Sequence, residues 1–289
     1  MSNRRRIMWN ATVRALPLNE QVKATALAGC EALAVTPSDY NKWLGEGIST
    51  ADMKAMAADQ GITIDHLDPI ARWVDDWEPR LPGFDFPVAI VGYDMDDFFR
   101  MAGALGVHSF TAWGGFPDGR YTRSQLIDAF GTLCERARKE GLRCDLEFMP
   151  VFQIKDLWTA WDLVSTVDAP NSGIVLDMWH YFRGTPDDAL LRTIPGERIT
   201  AVQLCDAPAQ LPAGMSLPEE GLGNRLAPGD GAFPIKPTLD VLRESGGLNN
   251  VGVEIFSAAF DAMSAEQVGK RTGALLDEAL VSEPSLADS

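Results

Sequence analysis

Four oxygen-bearing side chains recur in closely similar settings along the second half of the chain. Glu147, Asp177, Gln203 and Glu254 stand in the runs LEF, LDM, VQL and VEI, each flanked by strongly apolar residues. A carboxylate in such a run is costly unless it is paired or neutralised, so these positions call for a compensating charge. The intervals are 30 residues from Glu147 to Asp177, 26 from Asp177 to Gln203 and 51 from Gln203 to Glu254. The first two each match one strand-plus-helix repeat; the third matches one repeat plus a long loop. Taken singly, each carboxylate has a plain reading as a salt-bridge partner. Their repetition points instead to side chains converging from successive strands on one divalent cation. An all-oxygen set that includes a neutral amide carbonyl suits Mn2+ or Mg2+ first, with Zn2+ and Co2+ as alternatives.

Other residues could complete such a site. His180 follows Asp177 by three residues in DMWHYFRG. On an extended strand the two would face opposite sides, so the chain must bend between them for His180 to contact substrate or carry a proton. His66 ends the strand-like run ITIDHLD, where substrate contact and structural capping are evenly matched. Trp113 ends VHSFTAW and offers either an apolar wall for a sugar ring or core packing. Arg225, in NRLAPGDGAFP, could bind an anionic or polyhydroxyl substrate or lie on the surface. GxSxG, HExxH, Walker A and GxGxxG motifs are absent from the sequence, which leaves serine nucleophiles and nucleotide binding without support.

Eight short strand-like runs must position these residues. They occupy 5–10, 31–37, 62–68, 107–113, 143–150, 173–180, 199–206 and 251–257. Amphipathic segments separate them: NEQVKATALAGC, STADMKAMAADQG, DMDDFFRMAGALG, TRSQLIDAFGTLCERARKEG, DLWTAWDLVSTV, PDDALLRTI, KPTLDVLRESGG and AEQVGKRTGALLDEAL. Eight strand-then-helix units predict an α/β fold, a (β/α)8 TIM barrel in a single domain over 1–289, with its core at about 5–280 and a frayed tail at 281–289. A doubly wound sheet is the alternative, but NATVRALPLNE after the first strand lacks the glycine turn that fold uses. In a barrel the active site lies at the C-terminal ends of the strands, where the four ligand candidates fall. The irregular stretch 207–234 and the segment WEPRLPGFDFPVAI then become long loops on the catalytic face.

Composition removes other classes. The 289 residues carry 41 acidic and 25 basic side chains, a net charge of −16, which repels nucleic acid. Four dispersed cysteines with no CxxC pair make neither a disulfide framework nor a zinc-thiolate site. The sequence has no apolar run long enough for a membrane span and no apolar region behind its basic start, so cytoplasmic residence is the default expectation. The expected partner is a small sugar-like molecule. Self-association is a further expectation, with Trp9, Trp43, Trp73 and Trp77 as candidate anchors.

The motifs LEFMP, GIVLDMWHYFRG, ITAVQLCDAP, GDG and VEIFS, in that order, resemble the xylose-isomerase-like superfamily and, within it, the sugar phosphate isomerase/epimerase group. The resemblance implies a metal quartet at Glu147, Asp177, position 203 and Glu254. Many members have His at position 203, where this chain has Gln. It also implies that His180 and Arg225 contact substrate. Glu147 and Glu254 would then move protons beside a carbonyl, isomerising or epimerising a sugar or keto-sugar. With a leaving group β to the carbonyl the same chemistry becomes elimination, with His180 protonating the departing oxygen. A lyase or dehydratase on a keto-sugar, keto-cyclitol or dehydroshikimate-like substrate is therefore the alternative, and a non-catalytic sugar-binding subunit a third. The superfamily's DNA-repair nucleases need a histidine-rich cluster; three histidines and the acidic charge argue against that activity.

Overall fold

A computed structural model of the chain describes residues 5–77 and 92–281. The apolar residues bracketing each ligand candidate face outward to a shell of helices, while the candidates face inward. This is the period-two alternation of a barrel wall. The strands are β1 (Ile7–Met8), β2 (Ala32–Val35), β3 (Thr63–Ile70), β4 (Ser109–Trp113), β5 (Arg143–Glu147), β6 (Ser172–Asp177), β7 (Ile199–Leu204) and β8 (Val251–Val253). Each pairs in parallel with the next, and a parallel bridge between Arg6 and Val251 joins the last to the first. Sequential order without a reversal is the TIM barrel and excludes the doubly wound sheet.

Each expected amphipathic segment forms a helix, and most open on a side-chain cap. Ser49, Thr122 and Ser264 open the helices Thr50–Asp59, Arg123–Lys139 and Ala265–Leu280 with reciprocal capping boxes. Gly106, at φ 72°, closes the helix Met95–Leu105 in the left-handed conformation. Leu33, Leu146, Leu176, Val202, Leu204 and Val253 pack under this shell. Inside the barrel, Ile7, Trp9, Ala32, Ala34, Val175 and Ala201 form a separate plug below the catalytic end. A Cβ at Gly252 would lie 1.9 Å from the Ile7 carbonyl oxygen and 2.8 Å from Trp9 Cδ1. The largest side chain of the plug thus faces a position with none.

Several boundaries differ from the expectation. β1 is short because the chain turns helical at Asn10. β5 and β7 stop at Glu147 and Leu204, and Glu254 lies just past β8. β6 ends at Asp177, not His180, because Met178–Arg183 is a helix and Asp177 is its N-cap. β3 runs on to Ile70, through a cis Asp68–Pro69 bond, so His66 is inside the strand and not at its end. Helices Pro37–Gly45 and Leu217–Gly223 were not expected. Trp9, Trp43 and Trp73 are 0–2% exposed and serve the interior, which removes them as interface anchors. All four cysteines are free and buried. Among the described residues no helix is long and apolar enough to cross a membrane. The loop segment that continues past Trp77 and the tail past Val281 lie outside the described residues.

Candidate metal centre and active-site cavity

The ends of β5 and β6 bring three ligand-bearing side chains together. Single atoms of Glu147, Asp177 and His180 all lie within 4.8 Å of one another. Asp177 achieves this by ending a strand and capping the helix that follows: its Oδ1 accepts from the His180 backbone N–H at 2.8 Å. That turn is the bend the sequence required, and it sets His180 Nε2 3.7 Å from Glu147 Oε1. Gln203, paired in register with Asp177, donates through Nε2 to Glu254 Oε1 at 3.0 Å. The opposite amide orientation would set two oxygens against each other.

This arrangement leaves acceptors unused. Gln203 Oε1 and both ring nitrogens of His180 are buried without a hydrogen-bond partner. A buried unsatisfied polar atom costs about 1–3 kcal/mol, so a cluster of them beside buried carboxylates suits a cation-binding site better than a finished core. Glu147, Asp177 and His180 could hold a divalent ion, and Gln203 Oε1 and Glu254 could add hard oxygen donors.

Arg225 is among the residues that line the cavity, which excludes its surface reading. It is 2% exposed, not a surface arginine, and it reaches the floor of the site from the segment following helix Leu217–Gly223. Its Nη1 donates to Asp177 Oδ2 at 2.7 Å and to Glu254 Oε2 at 3.0 Å, and its Nε to the Gly221 carbonyl at 2.7 Å. The guanidinium lies against the rings of Trp179 and Phe256. Asp206 fastens this loop: its carboxylate accepts from the backbone N–H groups of Ala207, Gly229 and Phe233, which explains the GDG turn. Burial works against a charge on Asp177, but Arg225, His180 and its hydrogen bonds outweigh it and hold the carboxyl below its usual range. Burial, reinforced by neighbouring carboxylates, pushes Glu147 and Glu254 well above theirs. Burial lowers His180 to about 4, leaving the imidazole neutral and able to accept.

A cavity of about 360 Å3 opens over this floor. Glu147, His180, Arg225 and Glu254 line it, and Trp113, Phe152, Trp179 and Phe256 supply apolar walls. Trp113 is fixed in that wall by the Trp73 Nε1 hydrogen bond to its carbonyl, 2.7 Å, and by the Phe152 ring packed edge-on. His66 does not border the cavity. Its two nitrogens face the hydroxyls of Ser109 and Thr111 on β4, a correction to its placement as a strand-end substrate contact. The sequence reading missed Asp68, which does line the cavity. It was within reach: taking the last polar residue of the strand, as for the later strands, selects Asp68 in DHLDP.

The barrel and its converging acidic ends place the chain in a class. It belongs to the xylose isomerase-like TIM barrel family, whose description matches residues 22–277. It is 28% identical over 246 residues to the 3-dehydroshikimate dehydratase of Pseudomonas aeruginosa, a match covering 85% of this chain and 37% of that protein. The chain thus spans under two-fifths of that dehydratase's length. It is also 28% identical over 155 residues to the inosose isomerase of Bacillus subtilis, covering 52% of this chain and 54% of that one. In three dimensions it is similar to the IOLI protein with a bound zinc atom, with a TM-score of 0.80, 18% identity and coverage of 98% and 100%. The relatives are enzymes, and they include both an elimination and an isomerisation.

Proposed function

We propose that the protein is a divalent-metal-dependent dehydratase of a cyclic hydroxyketone, of the chemical class of 3-dehydroshikimate. The observation that carries this reading is the Glu147–His180 pair, 3.7 Å apart on one side of the cavity floor. Elimination needs a base at one carbon and an acid at its neighbour, and two groups this close serve adjacent carbons on one face. The dehydratase match also runs through most of the chain, whereas the isomerase match covers about half.

A cation held by Glu147, Asp177, Gln203 and Glu254 would draw electron density from the substrate carbonyl and acidify the neighbouring C–H. Glu147 takes that proton. Neutral His180 takes the proton from Glu147 across their contact and hands it to the hydroxyl β to the carbonyl, whose C–O bond breaks as the C=C bond forms, and water leaves. One proton is moved and none is consumed. Arg225 fixes Asp177 and Glu254, and the Trp113 and Trp179 walls exclude water.

The second reading is isomerisation or epimerisation. It is favoured by the placement of Glu147 on β5 and Glu254 after β8, which approach the cavity from different sides of the barrel. Incubating the Mg2+- or Mn2+-loaded protein with 3-dehydroshikimate and with inosose in D2O separates the two. A product one water lighter supports the dehydratase. Deuterium uptake with the carbon skeleton and oxygens retained refutes it in favour of the isomerase. Full metal content and full solvent exchange in both Glu147→Gln and Glu254→Gln would remove the whole mechanism.

A further inference from the structure

Asp68 and His66 take no part in the chemistry above, yet they are joined. Asp68 borders the cavity, and its Oδ1 is shut from bulk water without a hydrogen-bond partner. The Thr111 hydroxyl lies beside the same carboxylate and favours its charged form. Thr111 Oγ1 in turn lies 2.8 Å from His66 Nε2, and His66 Nδ1 lies 2.7 Å from Ser109 Oγ.

Proton counting gives this chain one direction. Thr111 has a single hydroxyl proton. If that proton goes to Asp68, Thr111 must accept from His66 Nε2–H, and His66 Nδ1 must accept from Ser109. A neutral imidazole is needed for this, and burial lowers His66 to about 3. Trp9 packs edge-on to the ring at 5.1 Å and holds it in plane with its partners. The chain Ser109–His66–Thr111 therefore holds one oxygen of Asp68 and leaves the other for something not yet bound. Asp68 stands outside the converging trio of Glu147, Asp177 and His180. Pro69, Trp113 and Phe152 line the same cavity and offer side-chain carbon and ring surface, while Asp177 and Arg225 act on Asp68 through their charges. An unpaired charged acceptor in such a cavity discriminates strongly for a donor on the ligand.

We propose that Asp68 is a specificity-determining residue whose Oδ1 accepts a hydrogen bond from a ring hydroxyl of the substrate, and that Thr111 and His66 are positioning residues for it. The proposal rests on reading the site as one for a cyclic hydroxyketone.

The test is calorimetric binding of 3-dehydroshikimate, scyllo-inosose and monodeoxy inososes to Mg2+-loaded protein, alongside turnover. Wild type is compared with Asp68→Asn, Asp68→Ala and Thr111→Val, each first shown to melt cooperatively. Removing a charged hydrogen bond corresponds to a loss of about tenfold or more in affinity. That loss is expected for Asp68→Ala with the hydroxylated probe, with smaller losses for Asp68→Asn and Thr111→Val. The deoxy probe lacking the recognised hydroxyl should bind wild type and Asp68→Ala alike, which a merely structural role would not produce. Equal binding of every probe by wild type and all three variants overturns the proposal while leaving the dehydratase reading intact. Asp68-dependent binding without turnover sinks the dehydratase reading and supports Asp68. Failure of wild type to bind any ring ketone sinks both.

Discussion

Replacing Arg225 by methionine tests the electrostatic logic of the site. Arg225 is 2% exposed and shared between Asp177, 0% exposed, and Glu254, 4% exposed. Methionine keeps much of the volume and the contact with Trp179 and Phe256 but leaves two buried carboxylates without their cation. Breaking a buried pair by removing one partner costs about 3–5 kcal/mol. Protonation of Glu254, which burial already favours, should hold the loss near the lower figure. For a domain of this size that corresponds to roughly 10 °C in melting temperature. A divalent ion supplies the missing positive charge, so it should stabilise the variant more than wild type. The assay is a pair of calorimetric melts, one in EDTA and one in excess Mn2+. A loss below about 1 kcal/mol in EDTA, or a deficit that does not narrow with Mn2+, would refute the reasoning.

Three further outcomes follow from other parts of the molecule. Gly252→Ala drives a Cβ to 1.9 Å from a backbone oxygen of β1; backbone cannot yield as a flexible side chain can, so the variant should lose about 3 kcal/mol or more in urea titrations, and a wild-type midpoint would contradict the plug geometry. Gln203→Leu removes both the free carbonyl oxygen and the hydrogen bond to Glu254; Mn2+ affinity, measured by chelator competition, should fall about tenfold or more, and unchanged affinity would remove Gln203 from the ligand set. His66 is held neutral, with its ordinary value of 6.5 lowered to about 3. The unfolded chain therefore binds the extra proton between those values, and stability is full above pH 6.5 and falls as pH drops, by about 2 kcal/mol between pH 8 and pH 5. Denaturation midpoints of wild type and His66→Gln at the two pH values measure this, and identical pH dependence in both would show that His66 titrates normally in the fold.

The barrel was legible because its strands and helices differ in period and because most helices carry explicit start signals, such as Ser49, Thr122 and Ser264. The convergence of Glu147, Asp177, Gln203 and Glu254 was legible because β/α repeats return each strand end to the same place. Two details were not: the form of the bend after Asp177 and the burial of Arg225. Asp177 ends β6 by accepting the His180 N–H, a local bond that beats the strand propensity of Met178 and Trp179. Arg225 sits in a polar, proline- and glycine-rich stretch that reads as surface. Tertiary bonds fold that stretch back and carry the guanidinium inside: Arg225 N–H to the Phe256 carbonyl, the Asp206–Leu226 bridge, and the Asp206 carboxylate to Gly229 and Phe233. His66 and Asp68 were confused for a related reason: β3 continues four residues, to Ile70, past the polar residue that looked terminal.

The division of labour within Asp177 has a consequence for redesign. Its Oδ1 closes a helix turn and its Oδ2 faces Arg225, so one four-atom group answers to two masters. Asparagine retains the outline of the turn but surrenders the charge. Glutamate retains the charge but is a methylene too long for the turn. Position 203 is unlike this, since it is asked for an inward-facing acceptor and one bond to Glu254, which more than one residue type could supply. An effort to retune the proposed site for another metal should therefore vary position 203 and leave position 177 untouched.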